Sequence, residues 1–196
     1  MSQPGRIIIL SGPSGAGKTT LHDRLLQDPR FKGRLVRSIS ATTRKPRGGE
    51  RHGREYYFLT RKMFEYKIRT GQFLEWMKVF DNYYGTPLKN VRAALRRGQH
   101  VLLCIDVKGA GAVKKDIRDA LMIFVKTPTL DVLRRRLADR GTDSPQSIAL
   151  RLKTASAELK KVPAYDHVIV NGDLEAAYAR LASVVASLTF PSGCVI

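Results

Sequence analysis

The sequence predicts an α/β protein with a mainly parallel central sheet, and three observations carry that expectation. Apolar stretches with strand character alternate along the chain with amphipathic helical stretches, the order that builds parallel sheets. The runs "RIIIL", "VLLCID" and "LMIFVKT" are almost continuously apolar, as strands covered on both faces are. A glycine-rich decapeptide, "SGPSGAGKTT", joins the first of these runs to the first helical stretch.

Taken in order, residues 6–10 read as a buried strand and Thr19 to Gln27 as the helix after the glycine-rich loop. Pro29 and Gly33 break that helix, and "LVRSIS" (35–40) alternates enough to be a strand. Residues 41–53 are loop-like and dense in Arg, Gly and Pro; "REYYFLT" has β character, and "RKMFEYKIRTGQ" is a short helix closed near Gly71. "FLEWMKVF" reads as a strand, "DNYYGTP" as a turn, and "LKNVRAALRRG" as a helix ending at Gly98. After the two apolar runs comes a charged helical stretch over 129–161, interrupted at "DRGTDSP". "HVIVN" adds a strand and "DLEAAYARLASVVASL" a last amphipathic helix; the tail "TFPSGCVI" is expected to be poorly ordered.

No linker-like segment separates domains. The β-rich stretch (35–90) and the helical one (129–161) are therefore expected as lobes inserted into one core formed by 1–34, 91–128 and 162–190.

The 196 residues are 43% hydrophobic and 27% charged, a globular balance that excludes a disordered chain. No run reaches the length of about eighteen apolar residues that a membrane helix needs, and no signal-peptide pattern is visible, so a cytoplasmic location is expected. Cys104 and Cys194 do not make a disulfide framework, and "GCVI" is one position off a prenylation box. The formal charge of +18 raises nucleic acid as a partner. No zinc-finger spacing, RNA-recognition signature or basic zipper accompanies it, so nucleic acid is set aside as the main ligand.

Gly12, Gly17, Lys18 and Thr19 complete the G-x4-G-K-[ST] pattern after a strand and before a helix. Small residues let successive backbone N–H groups turn toward phosphate oxygens, and the helix N-terminus adds partial positive charge. The expected ligand is a nucleoside triphosphate, bound by Gly12, Pro13, Ser14, Gly15, Ala16, Gly17, Lys18, Thr19 and Thr20, with Lys18 on the terminal phosphates and the Thr19 hydroxyl on Mg²⁺. Many activities share such a loop.

A second cluster follows. Arg44, Arg47, Arg51 and Arg54 surround a glycine-containing loop, and downstream lie an isolated acid, Glu75, and a tyrosine pair. Arginine forks suit phosphate oxygens, and a carboxylate can accept the N1 and N2 donors of guanine. The same residues also fit a solvated basic loop beside a surface glutamate, and composition leaves both open.

From "SGPSGAGKTT" to "VIVNGDL" the chain resembles the guanylate kinases, through "SISATTRKPRGGE", "FLEWMKVFDNYYGTP", "IDVKGA" and "RGTDS". The resemblance implies transfer of phosphate from ATP to GMP with Mg²⁺, in a parallel core carrying a GMP-binding region and a helical lid. By position it assigns Arg44, Arg47, Tyr56 and Tyr84 to the GMP phosphate, and Ser40, Glu75 and Thr86 to the base. Arg140 and Arg151 match the lid arginines that close over the transferring phosphates, with Arg136 as a companion one helical turn before Arg140. Lys18, Arg44, Arg140 and Arg151 are thus the expected catalytic set. Asn171 and Gly172 match the loop near the adenine, and Arg134 and Arg135 read as surface charge. Asp106 ends an apolar strand, where an acid helps position magnesium or serves as a hydrogen-bond acceptor.

Two positions depart from the family pattern. Cys104 stands where an acid is usual, and Lys108 where glutamine is frequent. The cysteine either fills a small niche or weakens GMP binding. The competing expectations are a related phosphotransferase with another acceptor and a non-catalytic interaction module of the same fold.

Overall fold

The computed structural model describes residues 4–79, 81–139 and 144–190. In chain order the elements are β1 (Ile7–Ser11), α1 (Lys18–Gln27), β2 (Leu35–Arg37), β3 (Ala41–Thr42), β4 (Tyr57–Phe58), α2 (Arg61–Arg69), β5 (Phe73–Val79) and β6 (Asn82–Pro87). They continue with α3 (Leu88–Arg96), β7 (His100–Cys104), α4 (Val107–Asp116), β8 (Leu121–Lys126), α5 (Leu130–Ala138), α6 (Pro145–Leu159), β9 (His167–Val170) and α7 (Leu174–Thr189).

Five strands form the central sheet in the order β2-β7-β1-β8-β9, every neighbouring pair parallel. Strand β1 shows why residues 7–10 are wholly apolar. Ile8 and Leu10 pack on one face against Leu21 and Leu25 of α1 and Leu181 and Val185 of α7. Ile7 and Ile9 pack on the other against Val91 of α3 and Val113 of α4. Both faces are covered along residues 7–10, so side-chain alternation leaves no polar position there, and polar Ser11 comes only where the strand enters the loop. Each such side chain contributes about 1.5–3 kcal/mol by leaving water.

A second sheet, β4-β3-β6-β5, stands apart from the first, with β3 parallel to β4 and antiparallel to β6, and β6 antiparallel to β5. A third apolar cluster, Leu133, Leu137 and Ala155, joins α5 to α6.

The structure corrects the sequence reading in four places. "DNYYGTP" is a strand rather than a turn, because Tyr83, Tyr84 and Thr86 pair across to β5 residues Lys78, Met77 and Glu75. Residues 35–37 belong to the central sheet through β7, not to the inserted β-rich region, and the strand stops at Arg37 rather than at 40. The β character of "REYYFLT" is spent on two residues, Tyr57 and Phe58, which among the described residues pair with β3 alone. Helix α4 was not anticipated, since Gly109 and Gly111 lower its intrinsic propensity. It is fastened at its start instead, where the Asp106 carboxylate accepts a hydrogen bond from the Gly109 N–H at 2.8 Å.

Candidate active site

The phosphate loop leaves β1 at its C-terminal end and enters α1 at Lys18. Gly12 has φ +134, and a Cβ there would collide with the Val125 carbonyl oxygen of β8. Gly17 has φ +89, and a Cβ there would collide with the Asn171 amide. Both glycines are thus required by conformation and by space. Gly17 caps α1 without a side-chain hydrogen bond, which leaves the first amides of the helix for an anion. The Lys18 ammonium reaches back across the loop and donates to the carbonyls of Gly12 (2.6 Å) and Pro13 (2.9 Å).

Asn171 holds this loop from behind. Its side chain is 3% exposed and donates to the Ala16 carbonyl at 2.8 Å, while its backbone N–H donates to Lys126 at 2.7 Å. The neighbouring Gly172 carbonyl accepts from Arg136 Nη2 at 3.4 Å. Arg151 lies half-buried on α6, whose Ala155 packs against α5. Arg140 lies outside the described residues.

A cavity of about 620 Å³ opens beside the loop. Thr19 and Cys104 wall it on the phosphate side, and Ser40, Arg44, Arg47 and Tyr56 on the other. Glu50, which the sequence reading passed over, sets this arginine wall. One carboxylate oxygen accepts from Arg44 Nη2 and the other from the Arg47 backbone N–H, each at 2.8 Å. The ion pair raises the Arg44 pKa and lowers that of Glu50. The Arg44 guanidinium lies 5.5 Å from the centroid of the Tyr56 ring, and that ring meets Tyr84 edge-on. The only sequence hint was an acid six residues after Arg44 across two glycines.

Glu75, Tyr84 and Thr86 are not among the residues that line this cavity; Glu75 is 8% exposed, beside the fully buried Thr86 on the paired strand. Thr86 Oγ1 donates to Glu75 Oε1 at 2.6 Å. Burial pushes the carboxyl up to about 7, with the hydroxyl bond opposing and Asp106 adding to the rise. The packing is tight: a Cβ on Gly109 would lie 3.0 Å from Glu75 Oε2.

The sequence reading also missed further titratable groups near the phosphate loop. Glu158 of α6 is raised by burial and opposed by the nearby Lys18 charge. The buried His22 ring lies 2.8 Å from Asp23, and both help line the cavity. The Cys104 thiol is raised, mainly by burial, so it stays neutral at physiological pH; Thr19 and Lys18 are among the groups acting on it. The cysteine is therefore a neighbour of the phosphate side of the cleft rather than of the Glu75 pocket.

A parallel α/β core, a phosphate loop and an arginine-lined acceptor cavity sharing the Thr19 wall define a P-loop nucleoside monophosphate kinase. Comparison with known proteins narrows the class. The guanylate kinase family model matches residues 4–188. The chain is 44% identical to a guanylate kinase of Myxococcus xanthus over 94% of its length and 87% of the relative's. It is 45% identical to one of Carboxydothermus hydrogenoformans, covering 93% and 88%. The crystal structure of guanylate kinase from Anaplasma phagocytophilum superposes with a TM-score of 0.78 at 33% identity, covering 97% of this chain and 89% of that one. The chain belongs to the guanylate kinase family.

Proposed function

We propose that the cleft transfers the terminal phosphoryl group of ATP to a phosphate oxygen of GMP, giving ADP and GDP, in the cytoplasm. The observation that carries this reading is the single cavity walled at once by Thr19 of the phosphate loop and by Arg44, Arg47 and Tyr56. Donor and acceptor phosphates would meet there in line.

The acceptor oxygen is already anionic, so no protein nucleophile is required. The chain's task is positioning and charge neutralisation. The loop amides and Lys18 hold the donor phosphates. Arg44 and Arg47, oriented by Glu50, hold the acceptor phosphate with the Tyr56 and Tyr84 hydroxyls. Glu75 selects the base: an ionised carboxylate accepts the N1 and N2 donors of guanine, while a base lacking them leaves it buried and unsatisfied. Ser40 and Thr86 complete the base site. Arg136, Arg140 and Arg151 bring positive charge from the helical lobe and help exclude water.

The residues present fit Mg²⁺ carried by ATP. Thr19 offers a hydroxyl at the cavity wall, and Asp106 offers a carboxylate with one oxygen engaged by the Gly109 amide. Magnesium prefers few protein ligands and several waters, so a dense acidic cluster is not needed. When bound, it neutralises charge on the β- and γ-phosphate oxygens.

A coupled assay of ADP release with ATP against GMP, AMP, UMP and CMP tests the reading. Turnover confined to GMP is expected; equal rates with AMP would overturn the role of Glu75.

A further inference from the structure

A second cavity, of about 690 Å³, lies outside the proposed transfer site, between the β-rich sheet and helix α3. That volume is within the range of small-molecule sites, about 300–1,000 Å³. Its floor is apolar and contains ring faces: Tyr57, Leu59, Phe73 and Pro87. Its rim is cationic: Lys67, Lys89, Arg92 and Arg96. Among the described residues no aspartate or glutamate lines it.

Three of these cations share one stripe of α3. Lys89, Arg92 and Arg96 are spaced three and four residues apart, so they stack on the face opposite the buried Val91 and Ala94. Like charges at this spacing destabilise a helix. The sequence of α3 contains no acid, and among the described residues no carboxylate pairs with any of the four rim cations. An anion above an apolar floor would relieve that repulsion and cover the ring faces together.

The cavity also backs onto the acceptor site. Tyr57 follows Tyr56, Pro87 follows Thr86, and Ala41 lies between Ser40 and Thr42. Because successive strand residues point to opposite faces, an occupant here presses on the strands whose other face carries the acceptor residues.

We propose that this cavity is an effector site for a small organic anion with a planar apolar body, and that its occupancy changes the affinity for the acceptor nucleotide. The site goes beyond the phosphoryl-transfer reading, and binding can be measured without turnover.

The probe is 1-anilinonaphthalene-8-sulfonate, a fluorescent aromatic anion, titrated into the full chain with the transfer cleft saturated by ADP and GMP. One bound dye per chain is expected. Binding should weaken at least about tenfold in R92E/R96E, since reversing two charges removes more than one ion-pair contact. Tyr57→Ala should weaken it through the floor, and R92Q/R96Q, which adds no charge, serves if the double reversal fails to fold. Saturating dye should also shift the Michaelis constant for GMP in the parent protein and not in R92Q/R96Q. Dye affinity unchanged in these variants, or binding abolished by ADP plus GMP, overturns the site. Competition then separates two sources of the same chemistry. Displacement by CMP marks a nucleoside phosphate and displacement by salicylate an aromatic acid; displacement by neither overturns the assignment.

Discussion

The phosphate loop and the acceptor wall do adjacent jobs but are built in opposite ways. The loop is contiguous: residues 12–19 supply the amides, the lysine and the hydroxyl, and local backbone geometry shapes them. The acceptor wall is assembled from β3, β4, β5 and β6 and from the loop that carries Arg44, Arg47 and Glu50. A contiguous site tolerates loss of one side chain without losing its shape. A dispersed site depends on the contacts that hold its pieces in register. The variants below should separate the two kinds of failure.

The largest effect is expected at Lys18. Lys18→Ala should lower turnover by about a thousandfold or more, the usual cost of a transition-state charge contact. The melting temperature should stay within a few degrees. Near-normal turnover in the ADP-release assay would remove the loop from the chemistry.

Glu75→Gln should raise the Michaelis constant for GMP by about a hundredfold or more, because an acceptor of two N–H bonds becomes a mismatched amide. Stability should move the other way. A carboxyl raised to about 7 in the fold, against an ordinary value of 4.5, contributes stability below pH 4.5 that is lost as pH rises through 7. At pH 8 the parent buries an uncompensated charge worth up to about 3 kcal/mol, so the variant should have the higher urea midpoint there and no advantage at pH 4. For the same reason, kcat/KM for GMP in the parent should rise as pH increases through about 7. A flat profile would sever base recognition from Glu75 ionisation.

Glu50→Gln should raise the GMP constant about tenfold without altering that for ATP, since the arginine wall loses its anchor and the loop is untouched. Asn171→Ala should do the reverse. It orphans the buried Ala16 carbonyl, costs about 1–3 kcal/mol in denaturant unfolding, and raises the ATP constant more than the GMP constant. The smallest effect is expected at Cys104. Cys104→Asp should change the GMP constant about threefold, because it puts a carboxylate beside Thr19 on the phosphate side of the cavity. An unchanged constant would leave the cysteine as packing alone.

Legibility followed the same division. The strand–loop–helix at 7–20 was readable because its determinants are neighbours in sequence, and β1, β7 and β8 were readable because burial on both faces leaves only apolar residues in their interiors. Strand β6 was misread since glycine and asparagine around a tyrosine pair signal a turn, and only pairing with β5 makes the segment extended. Helix α4 was hidden by its glycines, and Gly109 is explained only by the Glu75 carboxylate lying against it. Glu50 carried no motif because only the folded loop turns its carboxylate onto Arg44 and Arg47, and Glu158 none because the charge beside it, Lys18, is distant in the chain.

By itself, the sequence determined the parallel α/β class, the donor loop and the family. These depend on local propensity, on hydrophobic period and on residues a few positions apart. Tertiary structure alone decided that Glu75 is buried beside Thr86 with its carboxyl near neutrality, that Asn171 props the phosphate loop, and that Thr19 and Arg44 wall one cavity. Desolvation and long-range hydrogen bonds exist only once distant segments have packed, so no reading of neighbouring residues could have supplied them.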